Sequence, residues 1–152
     1  MKTIKRMLEH QIWANRELLS AIQRCDGQAQ EALNLFRHYV IAEQAWIMRL
    51  NGESSTHLRL WTDDADLASL EEAVASNEQR YGDYMERLTE ESLDDMITYV
   101  NQSGVAFQTS IRDILTHVAL HGQYHRGQIN RVLRESSVQP EAVDFILFSR
   151  LS

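Results

Sequence analysis

Three of the six histidines lie close together near the carboxyl-terminal end, at intervals of four residues: His117, His121 and His125. In a helix, residues four apart lie one turn above each other on the same face. Two imidazoles placed in this way can bind one divalent metal ion, as they do in metalloproteases of the H-E-x-x-H type. Gly122 follows His121, so the glutamate that serves those proteases as general base is missing. The spacing therefore predicts a metal site that needs a further ligand from elsewhere.

The rise of a helix decides which of these histidines can share an ion. One turn rises about 5.4 Å, so His121 and His125 can bind an ion together. His117 lies about 12 Å along the axis from His125, which is too far for the same ion on a straight helix. We therefore assign His117 to the surrounding pocket. The alternative, which the pattern leaves open, is that inward-pointing histidines only satisfy hydrogen bonds inside a bundle.

The helix that carries these histidines is predicted over about residues 110–135. His121 and His125 project within its apolar stripe, while His117, Tyr124 and Gln128 project at the edge of that stripe. The apolar side chains that define the stripe are Ile114, Val118, Ile129 and Val132. Residues at the edge of the stripe are candidates to line a pocket beside the metal.

Long helices are expected earlier in the chain as well, because only six glycines and one proline interrupt it. Apolar spacing predicts helices over about residues 3–24, 29–50 and 69–90. His10 and Trp13 of the first helix are interpreted as a partly buried structural pair. The third helix is predicted to begin with a capping box at Ser69–Glu72. Gly82 in its middle indicates close packing against a neighbour, since glycine weakens a helix by about 1 kcal/mol relative to alanine.

The second helix carries His38, and it is apolar on two sides, which is typical of a helix at the centre of a bundle. His38 could therefore face an interior, although the pattern does not say which one. Glu43 projects away from His38 on the same helix. Three roles stay open for Glu43: orienting an imidazole, facing solvent, or forming an interhelical salt bridge.

Two connections differ from short helix-to-helix turns. The polar stretch from Glu53 to Asp66 is predicted to be a loop, long for a bundle, and such loops often shape or cover a site. It carries His57, which is interpreted as an inert exposed histidine, because metal sites favour rigid elements. Between Asp95 and Thr109, two β-favouring runs flank the turn residues Asn101–Gly104, which predicts a small hairpin.

Composition limits the class of protein. A length of 152 residues predicts one domain over residues 1–152. The net charge is −7 and no lysine lies beyond Lys5, which argues against binding to nucleic acid. Cys25 is the only cysteine, so an intrachain disulfide or a cysteine-based zinc ribbon is excluded. The charged N-terminus and the lack of a long apolar run lead us to expect a cytoplasmic protein without membrane contacts.

Two segments resemble the DinB/YfiT-like superfamily of bacterial four-helix proteins. Residues 121–129, H-G-Q-Y-H-R-G-Q-I, look like its H-x-x-x-H-R-G-Q signature, and residues 38–46, H-Y-V-I-A-E-Q-A-W, resemble its H-x(4)-E-x-x-W segment. The resemblance extends from Trp13 onward, although the glycine usually seen after the fourth helix is missing. It implies an all-α fold, a four-helix bundle, to which the residue pattern adds a small β-hairpin before the fourth helix.

The resemblance also implies a ligand set. One histidine from the second helix and two from the fourth would hold the ion, and the matching residues are His38, His121 and His125. Three imidazoles leave coordination positions open, as in catalytic rather than structural sites. Family members are described with zinc or nickel, some are thiol S-transferases that use a low-molecular-weight bacterial thiol, and many are dimeric. We therefore expect a divalent ion, zinc or nickel, and a homodimer.

Two functions follow as hypotheses. The first is a metal-dependent enzyme of the thiol S-transferase or hydrolase type, acting on a small molecule for which a low-molecular-weight thiol is one candidate. The second is a non-catalytic metal-binding or dimerising module with a structural or sensing role. No residue is assigned a catalytic role. The candidates to line the pocket or support the ligands are His117, Tyr124, Gln128 and Glu43.

Overall fold

The computed structural model describes residues 1–151. Four long helices build the fold, namely α1 (Lys2–Gln23), α2 (Gln30–Leu50), α3 (Leu67–Arg87) and α4 (Ile111–Glu135). A short 3₁₀ helix (Glu91–Asp94) and an antiparallel hairpin, β1 (Met96–Val100) and β2 (Ala106–Ser110), lie between α3 and α4. A short helix, α5 (Phe145–Ser149), follows α4. The predicted all-α bundle with a hairpin before the fourth long helix is confirmed.

The helices are arranged so that α2 and α4 lie side by side. The main contacts of α1 are with α3 and α4, and α2 packs against the same two helices. Helices α1 and α2 therefore lie diagonally across the bundle. Two clusters of buried apolar side chains fill the interior, one around Phe36 and Val40 of α2 and the other around Ile47 and Leu50. Helix α2 thus contributes to the core along its whole length.

The starts of α3 and α4 are each fixed by a side-chain cap. Ser110 caps α4 by accepting a hydrogen bond from the Asp113 N–H at 3.1 Å. Helix α3 begins two residues earlier than predicted, because Asp66 accepts from the N–H of Ser69 at 2.9 Å and from its hydroxyl at 2.8 Å. The predicted capping box at Ser69–Glu72 is therefore wrong. An aspartate caps as well as a serine does, and Asp66 stands one turn ahead.

Close packing occurs at a different helical glycine from the one expected. A Cβ atom at Gly82 would have no other atom within 4 Å, so the packing prediction for this residue is wrong. At Gly122 a Cβ would lie 2.8 Å from Nη1 of Arg126 and 2.9 Å from the hydroxyl of Tyr39. A side chain at the position that follows His121 would therefore require buried polar atoms of Arg126 and Tyr39 to move.

The segment after α4 folds back on α1. His10 is buried, and its Nε2 lies 2.7 Å from the carbonyl oxygen of Val143. The His10 ring also contacts the rings of Phe145, Phe148 and Trp13, with centroids 5.3, 5.6 and 5.9 Å away. These contacts agree with the structural role expected for His10 and Trp13. Within residues 1–151, no helix is both long and apolar enough to cross a bilayer.

Candidate metal centre

The packing of α2 against α4 brings three histidines together. His38 comes from α2, and His121 and His125 come from successive turns of α4. The nitrogen atoms that could bind a metal all lie within 4.8 Å of one another. In the described part of the chain, no other group of three or more histidine, cysteine or acidic side chains has this spacing. The three-histidine cluster formed by these residues could hold a metal ion.

Hydrogen bonds decide which nitrogen of each imidazole is free. Nδ1 of His125 donates to Oε1 of Gln128 at 2.8 Å, and Nδ1 of His38 donates to the carbonyl oxygen of Leu60 at 3.1 Å. Both residues therefore keep an unprotonated Nε2, the nitrogen that can bind a metal. Nε2 of His121 lies 3.0 Å from Nε2 of His125 and donates to it. Gln128 thus orients a histidine of the cluster from outside it.

Burial keeps the imidazoles neutral. It is the main cause that lowers the pKa of His38 and of His125 below the ordinary value of 6.5. The pKa of His121 falls to about 4, because of burial first and then of the neighbouring imidazoles. Metal binding requires unprotonated imidazole, which is the form present at neutral pH here. A set of three neutral nitrogen donors fits a divalent ion such as zinc or nickel.

The long loop over residues 53–66 packs on one residue of the cluster, His38. The sequence indicates that a loop of this length could shape or cover a site. The indole ring of Trp61 stacks on the imidazole of His38, with centroids 3.5 Å apart and planes 10° from parallel. Trp61 is 57% exposed, so its ring lies between His38 and solvent. Arg37 and Asn34 of α2 hold the same loop by donating to the carbonyl oxygens of Arg59 (2.8 Å) and Asp63 (3.0 Å).

A cleft of about 180 Å³ opens beside the cluster. His38, Ala42, Ala45 and Arg49 succeed each other at intervals of four, three and four residues, so they share one face of α2. The two alanines leave space between the histidine and the arginine. The remaining lining residues are Trp46, Leu60, Gln102 and His121.

The pocket residues expected on α4 lie along the flank of the cluster. His117 is exposed, and its ring stacks on that of His121 with centroids 5.3 Å apart. Tyr124 is 64% exposed and meets the ring of His125 edge-on at 5.2 Å. Gln128 makes the hydrogen bond to His125 already described. All three therefore lie next to a histidine of the cluster.

Glu43 is buried away from the cluster, where it is only 3% exposed. Its carboxylate accepts hydrogen bonds from Gln11 Nε2 at 2.6 Å and from Asn15 Nδ2 at 3.0 Å, both on α1. Within residues 1–151 it makes no hydrogen bond to a clustered histidine and no ion pair within 4 Å. None of the three roles expected for Glu43 matches this position, because α1 reaches across the bundle with neutral amides. Burial raises the pKa of Glu43.

A buried polar network lies behind the cluster, and it was not anticipated from the sequence. The Tyr39 hydroxyl donates to Asn15 Oδ1 at 2.7 Å and accepts from Nη1 of Arg126 at 3.0 Å. The ring of Tyr39 stacks near that of His125, with centroids 6.2 Å apart. The sequence signal for this network is an arginine, Arg126, directly after His125, with Gly122 one turn earlier. The structure buries this arginine fully.

Comparison with known proteins extends the resemblance to the whole chain. A family model described as the DinB family matches residues 1–152. The protein named Protein DinB from Bacillus subtilis (strain 168) is 22% identical over 159 residues, which cover 94% of this chain and 91% of that protein. The similarity is therefore not confined to the two histidine-containing segments.

Proposed function

The chain belongs to the DinB family, and from this premise we propose that it is a metal-dependent enzyme of the thiol S-transferase or hydrolase type. His38, His121 and His125 would be the metal ligands, and zinc or nickel the ion. The observation that carries the proposal is the convergence of three neutral imidazoles from two helices within 4.8 Å. The adjoining cleft supports it, because a small substrate needs access to the ion.

The residues around the cluster have defined tasks in this proposal. Gln128 and the carbonyl of Leu60 hold two ligands with Nε2 towards the ion, and Trp61 restricts the His38 ring. A bound divalent ion would supply Lewis acidity, which favours the deprotonated form of a coordinated thiol or water near neutral pH. His117 is the candidate to accept the proton released, since its ring stacks on that of His121 with centroids 5.3 Å apart.

Metal analysis of purified variants tests the ligand assignment. We expect one equivalent of divalent metal in the unchanged protein and its loss in His38→Ala and in His125→Ala. His57→Ala, which removes an exposed histidine of the loop, is the matched control and should keep the metal. Retention of stoichiometric metal in either ligand variant would show that the assignment is wrong.

A non-catalytic metal-binding or dimerising module is the second candidate. It is supported by the hydrogen bonds to Leu60 and Gln128 that orient two of the imidazoles, because a structural or sensing metal site needs oriented ligands as much as a catalytic one does. Calorimetric titration of metal into the metal-free protein, followed by assays with thiol acceptors and hydrolase substrates, separates the two functions. Turnover identifies the enzyme, and binding without turnover identifies the module.

The expected partner and location belong to the same proposal. A low-molecular-weight thiol would be one reactant, and the chain would act as a homodimer in the cytoplasm. Sedimentation velocity of the metal-loaded protein tests the dimer, and a single species of 17.6 kDa would contradict it.

A further inference from the structure

Arg49 is a buried cation in the cleft that opens beside the cluster. It is only 6% exposed, and its guanidinium lies over the rings of Trp46 and Tyr99, at 4.4 and 4.9 Å from their centroids. Nε donates to the hydroxyl of Ser55 at 2.9 Å, and Nη2 donates to Oε1 of Gln102 at 2.8 Å. Two of its five N–H groups are therefore used, which leaves three for a further acceptor.

The acceptors that Arg49 has are both neutral. Within residues 1–151 no carboxylate lies within 4 Å of its guanidinium, although the chain contains 22 acidic residues. Arg126, the other deeply buried arginine, has the charge of Glu43 nearby. Other arginines form ion pairs at the surface, among them Arg16, Arg24, Arg80, Arg112 and Arg131. A buried charge without an opposite charge is unfavourable. An anion bound from outside the protein would therefore stabilise Arg49 in this position.

The cleft connects Arg49 to the cluster. His38 and His121 line it at one end and Arg49 at the other, with Ala42 and Ala45 between them. His38 and Arg49 are separated by about 16 Å along the axis of α2. An extended molecule lying over the two alanines can thus contact the guanidinium and the cluster at once.

We propose that Arg49 is a specificity-determining residue that binds a carboxylate of the substrate, while the reactive end of the same small molecule lies at the three-histidine cluster. The inference rests on the proposed function, because it takes that cluster as the reacting centre. A carboxylate matches the planar guanidinium and balances its single charge. A phosphate dianion would add a second, uncompensated negative charge in a protein whose net charge is already −7.

The test compares thiols that differ only in a carboxylate. The protein is loaded with Co²⁺, whose absorption changes when a thiolate binds to it. The probes are 6-mercaptohexanoate against 6-mercapto-1-hexanol, and 8-mercaptooctanoate against 8-mercapto-1-octanol. Their chains are long enough to span the two alanines and too long for sulfur and carboxylate to chelate the same ion. We expect the better of the two acids to bind at least about tenfold more tightly than its alcohol, as a hydrogen bond to a charged group allows.

Variants assign this preference to the guanidinium. Arg49→Gln should lose the preference for the acid while keeping its affinity for Co²⁺ and for the alcohol. Arg49→Lys should bind the acid more weakly than the unchanged protein does, but should still bind the acid more tightly than the alcohol. If Arg49→Gln does not fold, Arg49→Lys replaces it in the comparison. Arg131→Gln removes the same charge from an exposed pair on α4 and should behave like the unchanged protein.

The outcomes separate the two proposals. Equal binding of acids and alcohols to the cobalt protein would overturn the role of Arg49 and leave the metal site standing. Failure to bind Co²⁺, or failure of every thiol to reach it, would overturn the proposed function itself. Competition by inorganic phosphate that exceeds competition by acetate would overturn the assignment to a carboxylate.

Discussion

Two histidines of the cluster are oriented by groups outside it, and only one of those groups is a side chain. His38 is held by the backbone carbonyl of Leu60, which no substitution removes, whereas His125 is held by the amide of Gln128. Such outer partners fix the tautomer of an imidazole and increase its basicity. The contribution of Gln128 can therefore be measured without changing a histidine of the cluster.

Replacing Gln128 with leucine removes the acceptor for the His125 Nδ1–H at similar volume. We expect metal affinity to fall by about 10- to 100-fold, because His125 can then rotate or change tautomer. Calorimetric titration measures the change. Gln79→Leu, at an exposed position on α3, is the control and should keep the affinity. An unchanged affinity in Gln128→Leu would mean that this hydrogen bond does not support the ligand.

At the residue scale, spacing predicted more of the site than composition did. His121 and His125 were identifiable from their separation by one turn. His38 was assigned through the family resemblance, because a helix apolar on two sides does not show which interior a residue faces. Trp61 and Arg49 were missed, since their positions depend on a loop and a hairpin that only the folded chain brings against α2.

At the scale of the helix, α4 combines a face that carries two histidines of the cluster with a tight contact against the buried network. The tight contact is at Gly122, where the missing Cβ leaves room for Arg126 and Tyr39. A glutamate at this position, as in the protease motif, would place a larger side chain in the same space. The absence of that motif therefore has a packing reason.

Alanine substitutions at two helical glycines should have opposite effects. Gly122→Ala is expected to lower the free energy of unfolding by about 1–3 kcal/mol, because its Cβ would overlap buried polar atoms. Gly82→Ala should raise it by up to about 1 kcal/mol, since alanine favours the helix and the space is empty. Urea unfolding monitored by circular dichroism measures both values. If Gly122→Ala were as stable as Gly82→Ala, the overlap would be relieved by movement of the arginine.

The positions of helices were easier to predict than their ends and their contacts. The apolar period located all four long helices, because burial of one face dominates their formation. The start of α3 was misplaced, since Asp66 and Ser69 are both good caps and local sequence does not choose between them. The packing of glycines was misjudged, because contacts between helices are not encoded in the period of either helix.

At the scale of the whole molecule, the segment after α4 is attached to the bundle through His10. Its Nε2–H donates to the carbonyl of Val143, and burial lowers the pKa of His10 below 6.5. The nearby charge of Arg126 lowers this pKa further, while the hydrogen bond and Asp144 oppose the shift. A protonated His10 is therefore disfavoured in the folded state.

This shift predicts a dependence of stability on pH. Since the pKa of His10 is lower in the folded than in the unfolded chain, the unfolded chain binds more protons as pH falls below about 6.5. The free energy of unfolding should therefore decrease from that pH towards the lower, folded pKa. His10→Gln, which can still donate to Val143, should make the decrease smaller. Denaturant unfolding with a chelator present measures it.

The control for this prediction is His57→Gln, at an exposed position of the loop. It should keep the full dependence on pH of the unchanged protein. Other buried histidines also change the free energy of unfolding in this range of pH. The quantity to compare is therefore the difference in pH dependence between His10→Gln and His57→Gln. An equal slope in both would mean that His10 does not contribute to the acid sensitivity of the fold.

The stacking of Trp61 on His38 gives the protein a built-in optical sensor. Among the ring contacts of residues 1–151, Trp61 is the tryptophan that stacks on a histidine of the cluster, whereas Trp13 and Trp46 contact other rings. An open-shell ion such as Ni²⁺ bound there would quench the excited state of Trp61 at short range. Binding and release of such an ion can thus be followed by the intrinsic fluorescence of Trp61, without any attached dye.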